Sequence, residues 1–167
     1  MKTIQIITSY SFNNEPVIKN RLEPLIHLML NENYKVILIS NDNKKIYYPT
    51  KNFSHVLIPL EFKQTKNLFL RSLLELKISL RIIKNSRKLN GDLVFVTIPS
   101  VFLMFFLFKL RDKILHLDIR DLVWEYLFKN QIVLKMIKVF INFNFRFANS
   151  ISYTNKSEYK NLLQYKF

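Results

Sequence analysis

Four charged residues and the only tryptophan follow directly on a mainly apolar run from Lys113 to Leu117. The run predicts a buried strand, and residues that follow the carboxyl end of a strand in a parallel sheet lie where α/β enzymes carry their chemistry. A carboxylate there can orient or polarise a hydroxyl, and a guanidinium can bind an anionic group. The segment therefore predicts a site built on Arg120 and Asp121. Glu125, one helical turn after Asp121, is expected on the same helical face.

The same residues also have a structural interpretation. Asp121 is suited to cap the helix that follows it, and Arg120 to pair with Asp118 or Glu125. Trp124 fits a core position better than a ligand-stacking platform. The residues alone leave both interpretations of Arg120 and Asp121 open.

The composition excludes several kinds of site. Gly91 is the only glycine, whereas phosphate-binding loops and dinucleotide fingerprints need several glycines for tight turns and close backbone approach. Cysteine is absent, which excludes disulfides, thiolate metal sites and cysteine nucleophiles. The three histidines are scattered, so a histidine-rich metal site is not expected. We therefore expect no metal and no cofactor bound by this chain itself.

The formal net charge of +14 favours anionic partners through long-range attraction. A compositional bias towards lysine and asparagine explains the charge equally well. Nucleic acid is not expected as a partner, because no zinc-finger, basic-zipper or RNP-like pattern is present. The basic and aromatic residues between Lys135 and Arg146 suit a helix lying on an anionic membrane surface, but also a core helix with a solvated basic face. The apolar run from Val101 to Phe108 is too short to span a bilayer, which needs about 20 residues.

Short apolar runs alternate with helical patterns along the whole chain, which predicts an α/β fold with a Rossmann-like, doubly wound parallel sheet in a single domain. Pro16 suits the first turn of the first helix, and Pro24 is expected to kink or restart that helix. In the long helix from about residue 66 to 88, leucine spacing predicts an inner face with Arg71 and Glu75 paired outside. Ser100 is suited to cap a helix. The predicted strands are residues 3–8, 34–40, 55–60, 93–98, 114–117 and 150–153, and the inner face of the long helix is Leu73, Leu76, Leu80 and Ile83.

The order of these features resembles the N-terminal, acceptor-binding half of a family 4 glycosyltransferase, an enzyme of the two-domain GT-B type. The segment from Leu117 to Glu125 is similar to the family's (L/D)-x-R-D-L-W-x-E motif, with Val123 inserted before the tryptophan. The strand from Tyr34 to Ser40 and the segments from Asp92 to Ser100 and from Asn149 to Ser157 resemble the corresponding strands of the family, and they are generic for doubly wound sheets. The Gly-Gly pair that many members carry after the first strand is missing, and so is the C-terminal domain that holds the nucleotide-sugar.

The resemblance implies transfer of a sugar from a nucleotide-sugar to a lipid-linked or saccharide acceptor in surface polysaccharide assembly, with retention of configuration. It implies that Asp121 and Arg120 are catalytic, and that four residues contact the acceptor: Asn13, Arg21, Ser100 and Glu125. The chain is then a truncated enzyme or one subunit of a split transferase, and a separate domain or subunit binds the donor. Its expected location is cytoplasmic, on the inner face of the plasma membrane. The alternative function is a non-enzymatic basic α/β module that binds anionic membrane or nucleic acid.

Overall fold

The computed structural model describes residues 1–59, 68–98, 100–120, 130–154 and Tyr165. Six strands form one sheet in which every pairing is parallel, in the order β3-β2-β1-β4-β5-β6. The predicted α/β fold with a Rossmann-like, doubly wound parallel sheet is confirmed. The strands are β1 (Thr3–Ile7), β2 (Lys35–Ser40), β3 (Phe53–Leu57), β4 (Leu93–Ile98), β5 (Ile114–Ile119) and β6 (Ser150–Tyr153).

The helices cover both faces of the sheet. Helix α1 packs on one face, where its Ile18, Leu22 and Ile26 meet Ile6 of β1 and Leu38 of β2. The other helices share a second core on the opposite face. Because neighbouring residues of a strand point to opposite faces, each buried strand must be apolar on both sides. The helices are α1 (Pro16–Asn31), α2 (Leu68–Lys88), α3 (Val101–Met104), a 3-10 helix (Leu107–Leu110) and α4 (Gln131–Phe145).

Helix α1 runs through Pro24 without a break, so the predicted restart does not occur. Proline removes one backbone hydrogen bond, here the one that would reach the carbonyl of Asn20. Pro24 and Asn20 both lie on the exposed side of α1, where water can solvate that carbonyl. The helix therefore tolerates the proline while Leu22 and Ile26 stay buried.

The predicted inner face of α2 is correct at Ile83, which is buried, and wrong at Leu73 and Leu80, which are exposed, while Leu76 is half-buried. The helix is turned so that Glu75 lies on the stripe that faces the sheet, one and two turns before the buried Ile78 and Ile82. Leucine spacing was misleading because α2 carries leucine on several sides. The buried residues of α2 are Ile78, Ser79, Ile82, Ile83 and Ser86.

Gly91 has a packing role at the amino edge of the sheet. A Cβ added at Gly91 would lie 2.7 Å from Nε2 of Gln5. Gln5 is fully buried and cannot easily move, because its Nε2 donates to the carbonyl of Leu89 at 2.8 Å and its Oε1 accepts from Ser86 at 2.5 Å. The single glycine therefore makes room for a buried amide.

No helix in the described part of the chain is both long and apolar enough to cross a membrane.

Candidate functional site

The strand order places a crevice between the carboxyl ends of β1 and β4. From β1 the chain proceeds through α1 to β2 on one side, whereas from β4 it proceeds through α3 to β5 on the other side. The loops that follow these two strands therefore diverge, and in open α/β sheets ligands bind at such a topological switch point. The first loop is residues 8–15, and Ser100 follows the second strand.

Four side chains from three elements meet at this crevice, and we call them the switch-point cluster: Tyr10, Arg71, Glu75 and Ser100. Oε1 of Glu75 accepts from Nε of Arg71 at 3.2 Å, and Oε2 accepts from the hydroxyl of Ser100 at 3.3 Å. Tyr10 interacts electrostatically with both Glu75 and Arg71. The Glu75 side chain is only 17% exposed, whereas that of Arg71 is 53% exposed. The cluster thus combines a sheltered carboxylate with a cation that reaches solvent.

The protonation of Tyr10 follows from its surroundings. Burial raises the pKa of Tyr10, and the negative charge of Glu75 raises it further, while Arg71 acts in the opposite direction. Tyr10 is therefore a neutral phenol at physiological pH and can donate a hydrogen bond. Together with the acceptor oxygens of Glu75 and the hydroxyl of Ser100, it suits a ligand rich in hydroxyl groups.

A second network fixes the loop after β1. The carboxylate of Asp42 is buried and accepts four hydrogen bonds, two from the backbone N–H groups of Phe12 and Asn13 and two from the hydroxyls of Ser11 and Ser40. Burial acts to raise the pKa of Asp42, but these hydrogen bonds outweigh it and hold the pKa below its ordinary value. The loop is therefore anchored to an ionised carboxylate beside the crevice.

His55 extends this network beneath the loop. The backbone N–H of Ile46 donates to Nδ1 of His55 at 3.0 Å, so the neutral ring carries its proton on Nε2. Nε2 then donates to Oγ of Ser40 at 2.7 Å, and the Ser40 hydroxyl donates to Asp42 at 2.5 Å. Burial lowers the pKa of His55, with a smaller opposing effect from the charge of Asp42.

Arg21 is held by a third network, on the face of the sheet that α1 covers. Its Nε donates to Oδ2 of Asp118 at 2.6 Å, its Nη2 donates to Oδ1, and its Nη1 donates to Thr154 at 2.7 Å. Thr97 and Ser152 also donate to Asp118, at 3.0 and 2.9 Å. Asp118 is thus fully occupied, and its predicted pairing with Arg120 is not observed. Arg21 therefore links α1 to β5 and to Thr154, which follows β6, and its guanidinium is engaged in these contacts within the fold.

Three further sequence-predicted residues, Asn13, Ser100 and Arg120, lie at the carboxyl edge of the sheet. Asn13 is exposed in the loop after β1, and its side chain donates to the carbonyl of Lys44 at 3.0 Å. Ser100 occupies the cap position of α3 without capping it, because its hydroxyl is directed to Glu75 instead. Arg120 is half-buried directly after β5. Asp121 and Glu125 lie outside the described residues, so their roles stay predictions.

Sequence reasoning missed Tyr10 and the inward position of Glu75. A usable signal was present, because Glu75, Ile78, Ser79 and Ile82 recur at i, i+3, i+4 and i+7.

The described residues contain no group of three or more histidine, aspartate or glutamate side chains that could hold a metal ion.

No model of a known protein family matches the chain, and no curated protein matches it in sequence. The fold and the switch-point crevice define the class as a doubly wound, Rossmann-like α/β domain.

Proposed function

We propose that the switch-point crevice binds a saccharide acceptor, and that the chain is the acceptor-binding domain of a retaining GT-B glycosyltransferase. The observation that carries the proposal is the sheltered carboxylate of Glu75, hydrogen-bonded to Ser100 and adjacent to Tyr10 at the carboxyl edge between β1 and β4. A carboxylate that accepts and hydroxyls that donate or accept match the alternating donors and acceptors of a sugar. The resemblance of the segment from Leu117 to Glu125 supports the same class of enzyme.

In this proposal the chain positions the acceptor, and a separate domain or subunit brings the nucleotide-sugar. Arg120 directly follows β5 and Ser100 lies just beyond β4, so both lie at the carboxyl ends of neighbouring strands. We assign Arg120 and Asp121 the catalytic roles implied by the sequence resemblance, with Asp121 orienting the acceptor hydroxyl. Fixing that hydroxyl beside the donor lowers the entropic part of the barrier.

Amide chemical-shift mapping of the isotope-labelled chain tests the proposal. Methyl pyranosides and a lipid-linked disaccharide in detergent are titrated in parallel with nucleotide-sugars. We expect the saccharides to shift the amides of residues 8–15 and of α3, and Glu75→Gln to weaken these shifts. Glu32→Gln removes an equal charge from an exposed helix end and is the matched control. Saccharides that leave both segments unperturbed, or that respond equally to both variants, would contradict the proposal.

A specific observation favours a second candidate function, attachment to an anionic membrane through α4. The helix packs into the core through Ile141 and Phe145, yet it also exposes a separate apolar stripe along its outer side. Lys135 and Arg146 flank that stripe and are exposed. Apolar residues beside cations at a helix surface suit the interface of an anionic bilayer. The stripe consists of Ile132 (71% exposed), Met136 (70%), Val139 (72%) and Phe143 (46%).

Vesicle sedimentation tests this second candidate. We expect the chain to bind anionic but not neutral vesicles and to be released by salt, and the double variant Met136→Ser/Val139→Ser to bind less. Val17→Ser/Leu28→Ser changes two residues of α1 that are 54% and 59% exposed, and it serves as the control. Equal binding to neutral and anionic vesicles, or equal losses in both double variants, would exclude α4 as the attachment site.

A further inference from the structure

A basic cavity lies at the amino edge of the sheet, at the end opposite the switch-point crevice. Its volume is about 450 Å³, and one wall is the last two turns of α2, five residues before β4 begins. The 3-10 helix supplies the other wall through Lys109. We call it the basic cavity, and its lining residues are Leu80, Ile83, Lys84, Arg87, Lys88 and Lys109.

The cations of this cavity share one stripe of α2. Lys84, Arg87 and Lys88 follow Leu80 and Ile83 at i, i+3, i+4, i+7 and i+8, so all five side chains face one side. Like charges at one-turn spacing repel each other and weaken a helix. No described carboxylate forms an ion pair with any of these three residues or with Lys109. The stripe thus concentrates positive charge that forms no ion pair in the described part of the chain.

Stabilisation of the helix end explains only part of this charge, because Arg87 and Lys88 lie in the last turn of α2 but Lys84 and Lys109 do not. The carbonyls that end α2 already have a cation, because Nζ of Lys113 donates to Ser86 at 3.0 Å and to Leu89 at 2.6 Å. Lys109 is turned towards the rings of Phe106 and Phe108, with its Nζ 5.6 and 5.9 Å from the ring centroids. Lys109 thus lines the cavity from the 3-10 helix while its ammonium lies over these rings.

We propose that the basic cavity is a binding site for a phosphate group. Four cations from two walls can surround the oxygens of a phosphate monoester, and charge-assisted hydrogen bonds of this kind are short and strong. Leu80 and Ile83 add an apolar side, which suits a phosphate carried by an apolar chain as well as a free phosphate. The site is separate from the switch-point crevice and does not depend on the function proposed for that crevice.

Two probes distinguish the sources of the phosphate. In the first experiment, inorganic phosphate is titrated into the labelled chain. In the second, binding to phosphatidylcholine vesicles is compared with binding to vesicles that contain an equal proportion of phosphatidic acid or of phosphatidylglycerol. We expect inorganic phosphate to shift the amides of residues 80–88 and 107–110 if the ligand is soluble. We expect a preference for phosphatidic acid over phosphatidylglycerol if it is a lipid headgroup.

Variants decide whether the cavity is the site. Lys84→Gln/Lys88→Gln and, from the other wall, Lys109→Gln should each weaken binding of the responding probe by about tenfold or more. Lys19→Gln/Lys51→Gln removes the same charge from exposed positions outside the cavity and should change binding by less than about twofold, since distant surface charges are screened. Absence of binding by both probes, or equal weakening by the cavity and control double variants, would overturn the proposal.

Discussion

At the scale of single residues, Asp118 joins four elements. It lies in β5, it accepts hydrogen bonds from Arg21 of α1, Thr97 of β4 and Ser152 of β6, and only 1% of its surface is exposed. A buried carboxylate is costly unless it is paired and hydrogen-bonded, and here every partner is present. The ion pair therefore fixes α1 across the carboxyl half of the sheet.

Loss of this carboxylate should destabilise the fold. We expect Asp118→Asn to lower the free energy of unfolding by about 2 kcal/mol, less than the 3–5 kcal/mol of a fully buried pair because the Arg21 side chain is 29% exposed. Urea denaturation measures the change, with Asp112→Asn at an exposed position as the control. A double-mutant cycle with Arg21→Gln should show that the two losses are not additive. Additive losses would mean that the pair contributes no coupling.

His55 should make stability depend on pH. Its pKa in the folded chain is lowered, chiefly by burial, below the value of about 6.5 for a solvated histidine. The unfolded chain therefore binds more protons between those two values, so stability is complete above pH 6.5 and falls as the pH drops through that window. His116, whose pKa burial also lowers, contributes in the same direction.

Urea denaturation between pH 5 and 7.5 measures this effect. We expect His55→Gln to reduce the slope of stability against pH in the acid part of that range, and His116→Gln to reduce it further. An unaltered slope in His55→Gln would show that the ring beneath the loop is not the titrating group. The slope is the proper readout, because the substitution itself also removes hydrogen bonds to Ser40 and Ile46.

At the scale of elements, Pro24 is a local conflict that α1 tolerates. Proline within a helix costs up to about 3 kcal/mol relative to alanine. We expect Pro24→Ala to restore the hydrogen bond to Asn20 and to raise the free energy of unfolding by about 1–3 kcal/mol, with Lys19→Ala changing it by less than about 0.5 kcal/mol. Thermal and urea denaturation check both values. A destabilised Pro24→Ala would mean that the proline ring itself packs usefully in the fold.

The strands and helices were predictable because their signals are local. Continuous apolar runs gave the strands, and β5 proved longer than predicted only because Asp118 is polar and nevertheless buried. The partner of Asp118 was not predictable, since Arg21 lies 97 positions away and is brought near only by the sheet order. The inward position of Glu75 was not predictable from leucine spacing either, because it depends on how α2 packs against the sheet.

At the scale of the whole molecule, the chain has a net charge of +14, and its two proposed binding sites lie at opposite edges of the sheet. The switch-point cluster lies at the carboxyl edge with one sheltered carboxylate, whereas the basic cavity lies at the amino edge. The only glycine lies at the amino edge, in the loop between α2 and β4, and is packed against Gln5. The chain therefore has no glycine available to bring its backbone close to a pyrophosphate.

Because the chain has no glycine available for a pyrophosphate, we expect no turnover of nucleotide-sugars by the isolated chain. Product analysis measures this turnover, with a panel of nucleotide-sugars as donors and the saccharides that bind the crevice as acceptors. Sugar transfer by the purified chain, together with micromolar binding of a nucleotide-sugar in calorimetry, would contradict the division of labour proposed above. A heat-denatured sample is the control for non-enzymatic hydrolysis.

The affinity of a saccharide for the Glu75→Gln variant tests the central claim most directly. Calorimetry with the tightest-binding saccharide of the panel compares the wild-type chain, Glu75→Gln and the Glu32→Gln control. If the crevice holds the acceptor, Glu75→Gln should weaken binding by about tenfold, the scale of one charge-assisted hydrogen bond, while Glu32→Gln leaves it unchanged. Unchanged affinity in a correctly folded Glu75→Gln would contradict the account, because the acceptor would then bind without the carboxylate on which the proposed site is built.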